Sequence, residues 1–498
     1  MKQLIHSGII FPRYEPRGFK IAVQGKGFAL TPQQEEMAVA WVKKLGTEYV
    51  EEPVFVKNFF RDFCDALGLR DRLEPKDFNF SEIAKYVEDE KAKKLTMAKE
   101  EKKRVAAERK AVRETNKAKY GQAIVDGEKV DLGNYMAEPS CIFMGRGKHP
   151  FRGKWKQGPS ESDVTLNLSP DSPRPPGNWK EIVWQPDFMW VAKWDDKLRG
   201  EEKYVWLADS SSIKQEREIE KYDKARSLDR RIDELRAHIS TNLGATDLKR
   251  RKIATVCYLI DALKLRVGDE KDKDEADTVG ATTLRPDHVK IREGGRVVFD
   301  FLGKDSVQWR KEVELPSQVI DNLREFMTNA HSSIFEGVRS DSVKEFLSEV
   351  VPGLSSKAFR TYHASKVVQE YLKTAKVARE DPDYVKKNVA TLANLEAAVV
   401  CNHKRKLPKN WENSLAKKVE RLKVLQTKKT KKSAEAVKAL KLKIKTMRAT
   451  RDYNLGTSLK SYIDPRLYYG WGTKVGFDWK LYYPKTLQRK FSWIERSQ

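Results

Sequence analysis

The chain has 498 residues, of which 97 are Lys or Arg and 72 are Asp or Glu, so its formal net charge is +25. Because 39% of the residues are hydrophobic and 10% are aromatic, the composition excludes a disordered chain and predicts a sizeable core. The positive excess favours a polyanionic partner, nucleic acid before an anionic membrane, and the lack of a long apolar run argues against a membrane span.

The N-terminal part is predicted to mix helices and strands. A helix is expected near Pro32 to Leu45, and the charged stretch from Glu82 to Lys119 predicts an exposed helical segment stabilised by i,i+4 ion pairs. Residues 160–180 are rich in turn formers. The aromatic and β-branched segments that follow, Trp190 to Trp194 and Lys203 to Leu207, predict two short strands.

The second half is predicted to be mostly helical. Apolar residues at helical spacing from Ile219 to Ile239 indicate a long helix at its start. Val297 to Leu302 and Ser306 to Val313 predict a β-hairpin around Gly303-Lys304-Asp305, and helices are expected from there to His403.

A very basic segment follows, from Lys404 to Arg451. Its 48 residues include 18 Lys or Arg and 3 Glu, a net charge of +15. Apolar residues recur at helical spacing on both sides of a polar stretch, and Ser433 is suited to cap the second helix. We therefore predict two antiparallel helices that project as a hairpin with their charge facing phosphates; a solvated spacer is the alternative.

Several common chemistries have no motif here. The chain contains no G-x-x-x-x-G-K-[ST] phosphate loop, no H-E-x-x-H and no H-x-E…P-C-x-x-C signature. Its four cysteines lie far apart without a C-x-x-C pair, which disfavours a disulfide framework or a zinc site. We expect no ATP, no metal and no cofactor.

Five residues stand in unusual local contexts. Arg266 ends a helical pattern, Lys304 sits at the hairpin tip, Arg360 opens a helix, His403 ends an apolar helix, and Tyr462 precedes Ile-Asp-Pro-Arg. Taken singly, each has a structural explanation, such as a salt bridge for an Arg at a helix end.

Together their surroundings resemble the type IB DNA topoisomerases of the large, eukaryotic-type branch. The matching strings in the second half are Leu265-Arg266-Val267-Gly268, Ala276 to Gly280, Phe299 to Ser306, Phe359-Arg360-Thr361-Tyr362, Cys401-Asn402-His403, and Leu455 to Ser458 leading to Tyr462 and Arg466. Those in the first half are Tyr14-Glu15-Pro16, Lys57 to Phe60, Gly145-Arg146-Gly147 with His149-Pro150, and Pro175-Pro176-Gly177. The resemblance covers nearly the whole chain.

The resemblance implies a chemistry for the five residues. Tyr462 would attack a DNA phosphodiester and become joined to the 3′-phosphate, while Arg266, Arg360 and His403 donate to the non-bridging oxygens. Lys304 would protonate the departing 5′-oxygen. One ester is exchanged for another, so no ATP is required, and side chains supply the charge that a metal would otherwise provide.

The resemblance also implies DNA contacts and a drug pocket. The implied DNA-binding residues are Arg146, Lys148, His149, Asp305 and Thr457. The implied camptothecin pocket involves Arg146, Asp305 and Ser461, and Ser461 stands where eukaryotic members usually carry Asn.

The resemblance implies an α+β, mainly α, multidomain clamp around supercoiled double-stranded DNA, which acts as a monomer and does not bind a membrane. We predict a cap domain over 1–205, a helical catalytic domain over 206–406, a basic hairpin linker over 407–450 and a small C-terminal domain over 451–498.

Two departures from the familiar nuclear enzymes stand out. The sequence begins almost at the clamp domain, as expected for an archaeal or otherwise non-nuclear member or for a trimmed chain, and the shorter linker predicts looser control of rotation. We expect a cytoplasmic or nucleoid location in an archaeon and a nuclear one in a eukaryote.

Three other interpretations stay open. A tyrosine recombinase uses a similar residue set, although the 59 residues between His403 and Tyr462 exceed its short gap. A non-catalytic DNA-binding protein would explain the charge but not the five residues, and an RNA-binding protein would need a stacking motif that is missing from the sequence.

Overall fold

The computed structural model describes residues 1–145, 147–269, 278–304, 307–427 and 430–496. Over these residues the chain is mainly helical with several small sheets, which confirms the predicted α+β class. It divides into two compact units, Met1–Lys214 and Gln215–Gln498. Within the described ranges, none of the helices combines the length and apolarity needed to cross a membrane.

The first unit combines short strands with helices. Its strands are β1 (Leu4–His6), β2 (Lys20–Val23), β3 (Lys26–Ala29), β4 (Phe78–Asn79), β5 (Gln122–Val125), β6 (Glu128–Asp131), β7 (Cys141–Ile142), β8 (Trp155–Lys156), β9 (Thr165–Asn167), β10 (Glu181–Val183), β11 (Trp190–Asp195) and β12 (Glu202–Trp206). Its helices are α1 (Pro32–Val42), α2 (Pro53–Leu67), α3 (Ser81–Thr96) and α4 (Lys99–Tyr120). The sheets have the orders β1-β5-β6, β3-β2-β4, β10-β9-β11-β12 and β7-β8. The predicted strands β11 and β12 pair antiparallel.

The aromatic core of this unit is built on α1 and α2. The side chains of Phe55, Phe59 and Phe63 recur at helical spacing on α2 and are fully buried. The Phe59 ring stacks on Trp41 of α1 with 4.8 Å between centroids. Gly68 ends α2 in the left-handed region at φ 72°, a conformation that favours glycine.

The charged stretch after α2 is helical, as predicted, but it forms two helices rather than one continuous segment. Lys93 and Lys94 lie in the last turn of α3, and Glu100 and Glu101 lie in the first turn of α4. These charges favour a helix end followed by a new start, because they complement both helix dipoles. The structure describes all of α4 and buries none of its residues, so ion pairs such as Lys110–Glu114 lie on an exposed helix.

The second unit is dominated by helices around one three-stranded sheet. Its helices are α5 (Ser212–Asn242), α6 (Leu248–Leu263), α7 (Ser317–Thr328), α8 (Ser340–Ser348), α9 (Ser356–Thr374), α10 (Asp383–Val400), α11 (Trp411–Gln426), α12 (Lys431–Ala449), α13 (Leu455–Ser461), α14 (Pro465–Val475) and α15 (Lys485–Lys490). Its antiparallel strands are β13 (Val289–Ile291), β14 (Arg296–Gly303) and β15 (Val307–Glu314). The long helix α5 confirms the predicted one and is kinked at Arg231.

The β14–β15 hairpin confirms the sequence prediction. The two strands pair from Arg296 opposite Glu314 to Gly303 opposite Val307, so Lys304 directly follows the last paired residue of β14. Asp305 and Ser306 lie outside the described residues. The Val279 N–H donates to the Leu302 carbonyl at 2.8 Å, which ties the segment after Thr278 to this hairpin.

The basic segment forms the predicted helix pair, α11 and α12, but two details of the prediction are wrong. Thr430, not Ser433, caps α12, because Ser433 occupies the third helical position and completes a reciprocal capping box with Thr430. The pair also does not stand wholly apart from the unit. The Tyr384 Oη of α10 donates to Glu435 Oε1 of α12 at 2.7 Å, and Thr446 of α12 hydrogen-bonds to Asn388 of α10. By contrast, α11 is described along its whole length and has no buried residue.

Candidate active site

Two clefts of the second unit contain the five candidate residues. A cleft of about 700 Å³ is lined by Arg266, Lys304, Arg360 and Tyr462. A smaller cleft of about 100 Å³ is lined by the first three of these residues and by His403. The fold therefore brings together residues that are separated by up to 196 positions in the sequence.

Arg360 forms the centre of this group. It is 6% exposed, and its Nη1 and Nη2 groups donate to the carbonyls of Lys264 (3.0 Å) and Cys401 (2.8 Å). Each carbonyl lies at a strained turn, because Lys264 and Asn402 are non-glycine residues in the left-handed region, at φ 60° and 52°. The guanidinium is thus oriented by main-chain groups that the local backbone conformation directs toward it.

The Nε–H group of Arg360 takes no part in these two hydrogen bonds. It is buried and has no hydrogen-bond acceptor within the described part of the chain. A buried donor without a partner typically costs about 1–3 kcal/mol, so such a group is expected to meet a ligand oxygen. Nε–H and Nη2–H together form the edge of a guanidinium that suits two oxygens of a phosphate.

Tyr462 directly follows α13 and packs against two of the other candidates. The Arg360 Cζ lies 5.1 Å from the centre of the Tyr462 ring, and the His403 ring lies 5.1 Å from it, inclined by 34°. Ser365 of α9 holds the adjacent backbone, because its hydroxyl donates to the Tyr462 carbonyl at 3.3 Å and accepts from the Asp464 N–H at 3.0 Å. The half-buried tyrosine is therefore held through both its ring and its main chain.

His403 is 7% exposed and uncharged at neutral pH. Burial, with the positive charges of Arg360 and Arg266, lowers the pKa of His403 to about 3. Its Nε2 lies 3.1 Å from Arg360 Nη2, and its Nδ1 lies 2.7 Å from Ser458 Oγ. His403 thus brings a neutral imidazole to the site rather than a further positive charge.

Arg266 is positioned by close packing of two loops. Its carbonyl accepts the Ala281 N–H at 2.8 Å. A Cβ on Gly280 would lie 2.4 Å from the Gly268 Cα, so the two loops could not approach this closely with a larger residue at position 280. The half-buried Arg266 side chain then faces the same cleft as the half-buried Lys304.

The remaining candidate residues are distributed over both units. Thr457 lines the smaller cleft and Ser461 the larger one. In the first unit, Lys148 is exposed, whereas His149 is 8% exposed, and its Nδ1 accepts the Phe151 N–H at 3.1 Å. His149 therefore supports the fold of its loop. Arg146 and Asp305 lie outside the described residues.

The loop that carries Lys148 and His149 is fixed by Asn58. The Asn58 Nδ2 group donates to the carbonyls of Pro150 (2.8 Å) and Arg152 (2.7 Å). Two motifs that lie about 90 residues apart in the sequence are thereby joined in space. Gly153 makes this approach possible, since a Cβ there would lie 2.0 Å from the Phe55 carbonyl oxygen.

Sequence reasoning missed three supporting residues. Ser458 contacts His403, Ser365 contacts the Tyr462 backbone, and Lys264 offers its carbonyl to Arg360. Ser458 belongs to one of the matching strings, so its place four residues before Tyr462 was available as a signal. Nothing in the local sequence of Ser365 or Lys264 indicates these contacts.

Comparison with known proteins places this site in a family. Residues 1–207 match the family model described as the DNA binding fragment of eukaryotic DNA topoisomerase I, and residues 210–436 match its catalytic core. Residues 434–498 match the C-terminal topoisomerase domain. The chain is 33% identical to the mitochondrial DNA topoisomerase I of Rattus norvegicus over 99% of its own length and 90% of that protein. It belongs to the eukaryotic DNA topoisomerase I family.

Other members of the family give similar values. DNA topoisomerase 1 of Homo sapiens is 33% identical, with 99% of this chain and 70% of the human protein covered. DNA topoisomerase 1 of Drosophila melanogaster is 35% identical, with 98% of this chain covered. The chain spans 53% of the Drosophila protein, about half the length of that curated relative. The family membership predicted from the matching strings is thus confirmed over both units.

Proposed function

We propose that this chain is a type IB DNA topoisomerase, which relaxes positive and negative supercoils by cutting one strand, allowing controlled rotation and resealing the strand, without ATP or metal. The observation that carries the proposal is the buried Nε–H of Arg360 beside the ring of Tyr462, for which the described residues offer no acceptor. A tyrosine next to an oriented guanidinium edge suits attack on a phosphodiester, since one group supplies the nucleophile and the other binds the phosphoryl oxygens.

The proposed reaction exchanges one phosphodiester for another. The Tyr462 oxygen forms a bond to phosphorus and gives up its proton to water, while the bond from phosphorus to the 5′-oxygen breaks. Lys304 donates a proton to that departing oxygen, and a 3′-phosphotyrosine results. Arg266 and Arg360 stabilise the negative charge on the non-bridging oxygens. Religation reverses these steps, so the ester conserves the energy of the broken bond.

The neutral state of His403 refines its proposed role. A ring whose pKa lies at about 3 carries no positive charge at neutral pH, so His403 would offer the phosphoryl group a neutral N–H donor. The two arginines and Lys304 would then supply the positive charge.

We further propose the family's organisation for this chain: a cap over residues 1–205, a catalytic domain over 206–406, a linker over 407–450 and a C-terminal domain over 451–498. The partner would be supercoiled double-stranded DNA, bound by a monomer in the nucleus of a eukaryote or in the cytoplasm or nucleoid of an archaeon. Arg146, Lys148, His149, Asp305 and Thr457 remain proposed DNA contacts, and Arg146, Asp305 and Ser461 a proposed camptothecin pocket. The net charge of +25 supports a polyanionic partner.

Incubation with supercoiled plasmid in EDTA without ATP tests the proposal. A ladder of relaxed topoisomers is expected from the wild-type chain, and plasmid that stays supercoiled would contradict the function. Denaturation during the reaction should trap protein attached to a 3′-phosphate, and attachment to the 5′ end would contradict the proposed polarity.

The Tyr462→Phe variant provides the matched control. It should bind DNA with wild-type affinity and form no covalent complex, because only the nucleophilic oxygen is removed. Tyr468 is a poor substitute nucleophile, since it is 2% exposed and its Oη donates to the Ala390 carbonyl at 3.2 Å. Strand cleavage by Tyr462→Phe would move the nucleophile elsewhere, with half-buried Tyr453 next to be tested.

A further inference from the structure

A chain of hydrogen bonds runs behind the candidate site, from Arg360 through His403 to Ser458. Arg360 Nη2 lies 3.1 Å from His403 Nε2, and His403 Nδ1 lies 2.7 Å from Ser458 Oγ. Because a guanidinium can only donate, Nε2 of His403 must be the acceptor. The neutral ring then carries its proton on Nδ1, and this N–H donates to the hydroxyl of Ser458.

Ser458 also belongs to the turn that ends in Tyr462. Its side chain is fully buried, and its carbonyl accepts the N–H groups of Tyr462 (2.9 Å) and Ile463 (3.1 Å). The Asn454 N–H at the start of α13 donates to the His403 carbonyl at 2.7 Å. The helix that presents the tyrosine is therefore bonded to His403 through both the main chain and the side chain.

The tautomer in this arrangement cannot serve a phosphate. Phosphoryl oxygens accept hydrogen bonds, so His403 can stabilise them only when Nε2 carries the proton. Binding of a phosphate would engage the Arg360 edge that now donates to Nε2, and the ring proton would have to be on Nε2 instead. Nδ1 would then need a donor in place of an acceptor.

A serine hydroxyl meets both needs, because it accepts from an N–H and donates to a ring nitrogen. We propose that Ser458 is a positioning residue that holds the His403 ring in one orientation through both tautomers, so that Nε2 can change from accepting the Arg360 N–H to donating to the phosphoryl oxygen. The inference rests on the proposed function for its catalytic consequence, but not for the hydrogen bond itself. No covalent bond between heavy atoms changes; one ring proton is exchanged between Nδ1 and Nε2 through solvent or the hydroxyl.

Nitrogen NMR of histidine-labelled protein tests the hydrogen bond directly. The chain has only seven histidines, and the signals of His403 can be assigned with a His403→Gln variant. Without DNA, the wild-type ring should show the proton on Nδ1. Ser458→Ala should keep the proton on Nδ1, because Arg360 still donates to Nε2, but the Nδ1–H signal should shift and exchange faster with water once its acceptor is lost. An Nδ1–H signal identical to that of the wild-type chain would overturn the proposal.

Single-turnover cleavage of a DNA duplex tests the consequence. Ser458→Ala should lower the rate about 10–100-fold at saturating DNA, as removal of the outer partners of metal-bound histidines does, while its DNA affinity stays unchanged. Ser458→Cys keeps the size of the side chain but has a weaker donor and acceptor, so its rate should fall between those of the wild-type chain and Ser458→Ala. Equal cleavage rates for the wild-type chain and both variants would overturn the proposal.

Thr255→Val is the matched control, because it removes another fully buried helix hydroxyl that, like that of Ser458, bonds to a buried side chain and that lines neither cleft. The Thr255 hydroxyl donates to the Arg251 carbonyl at 2.9 Å and accepts from Asn322 Nδ2 at 3.1 Å. This variant should keep the wild-type rate, and a decrease as large as that of Ser458→Ala would overturn the proposal by making stability the cause. A wild-type chain that cleaves no DNA would overturn the proposed function, while the NMR result would still decide the hydrogen bond.

Discussion

Arg360 shows how much a single side chain can depend on the backbone around it. Two carbonyls hold its terminal nitrogens, and the Nε–H edge remains for a ligand. A lysine has one nitrogen and cannot reproduce this geometry. We expect Arg360→Lys to lower the single-turnover cleavage rate by about 10²–10³, nearly as much as Arg360→Ala, as removal of one oxyanion donor does in other enzymes.

Measurement of cleavage on a suicide duplex checks this prediction. DNA binding by Arg360→Lys should stay close to the wild-type value, because the charge is kept. A rate near the wild-type value would mean that only the charge of Arg360 matters, and not the paired N–H donors of its guanidinium.

Lys304 is expected to act on the leaving oxygen, and sulfur chemistry can isolate that role. Lys304→Ala should cleave ordinary DNA slowly, because an unprotonated 5′-alkoxide is a poor leaving group. Replacement of the bridging 5′-oxygen by sulfur should restore cleavage, since a thiolate leaves without protonation.

The comparison variant is Arg266→Ala, which should gain much less from the sulfur substrate because Arg266 is proposed to act on the non-bridging oxygens. The measured quantity is the ratio of cleavage rates on the two substrates for each variant. Equal rescue of both variants, or of neither, would remove Lys304 from the role of general acid.

For single residues, the sequence was sufficient to predict those whose chemistry is unusual in their local context, but not the groups that support them. Arg360 and Tyr462 could be selected from motif strings. The carbonyl of Lys264 could not, because any residue has a carbonyl and only the φ of 60° directs this one toward Arg360. The direction of the Ser458 hydroxyl depends likewise on where α13 packs.

Among the elements, α11 is the best candidate for a surface that responds to salt. Its residues are all described, none of them is buried, and it belongs to the segment of net charge +15. We expect a triple substitution to glutamine at exposed cations in and just before α11 to weaken DNA binding and flatten its salt dependence. The substituted residues are Lys409, Lys417 and Arg421.

The slope of log affinity against log salt should fall by roughly 0.9 for each phosphate that the variant no longer neutralises. Fluorescence anisotropy with a duplex at several salt concentrations measures this slope. The control is a triple glutamine variant at exposed cations on α6, α7 and α8, namely Lys249, Arg324 and Lys344. An equal change in both variants would show that only total charge matters.

The helix pair also shows where periodicity alone misleads. The apolar stripe of α12 predicts α11 as its partner, yet Glu435 and Thr446 of α12 also bond to side chains of α10. A single helix can pack against two others, and the sequence of α12 does not reveal its contact with α10. The cap of α12 is mispredicted for a similar reason, since Thr430 and Ser433 both fit, and only the reciprocal bonds distinguish them.

For the molecule as a whole, buried histidines predict how stability depends on pH. In the first unit, burial lowers the pKa of His6 from 6.5 to about 4, against hydrogen bonds that raise it. Between pH 6.5 and about pH 4, the unfolded chain binds a proton at His6 that the folded unit does not, so the stability of the unit falls as the pH falls. Between about pH 7 and about pH 5 the decrease should be about 2 kcal/mol.

Native-state hydrogen exchange of the β1 and β5 amides at about pH 7 and about pH 5 measures the free energy of opening of the first unit. His6→Gln should remove most of the difference. Asp196 cannot account for it, because hydrogen bonds from Lys156 and Arg199 outweigh burial and lower its pKa to about 2, so its contribution disappears only at more acid pH. The same pH dependence in His6→Gln would contradict the assignment.

The overall class was predictable because composition and periodicity report the amount of helix and strand. The resemblance placed a boundary after residue 205, and the chain divides into two units after Lys214. Periodicity alone could not place that division, since the long helix α5 runs across it. Contacts between distant segments, such as Asn58 with the loop of Pro150, decide which residues form one unit.

The basic helix pair closes on itself where it leaves the rest of the second unit. Lys404 and Tyr453 form a bridge, and the Arg405 N–H donates to the Asp452 carbonyl at 3.0 Å. Because the two ends are joined there, the hairpin is free to gain or lose whole helical turns over evolutionary time while His403 and Tyr462 keep their places. Doubling the length of a closed loop costs only about 0.6 kcal/mol in closure entropy. Natural homologues with hairpins of very different lengths should therefore share one arrangement of histidine, arginine and tyrosine.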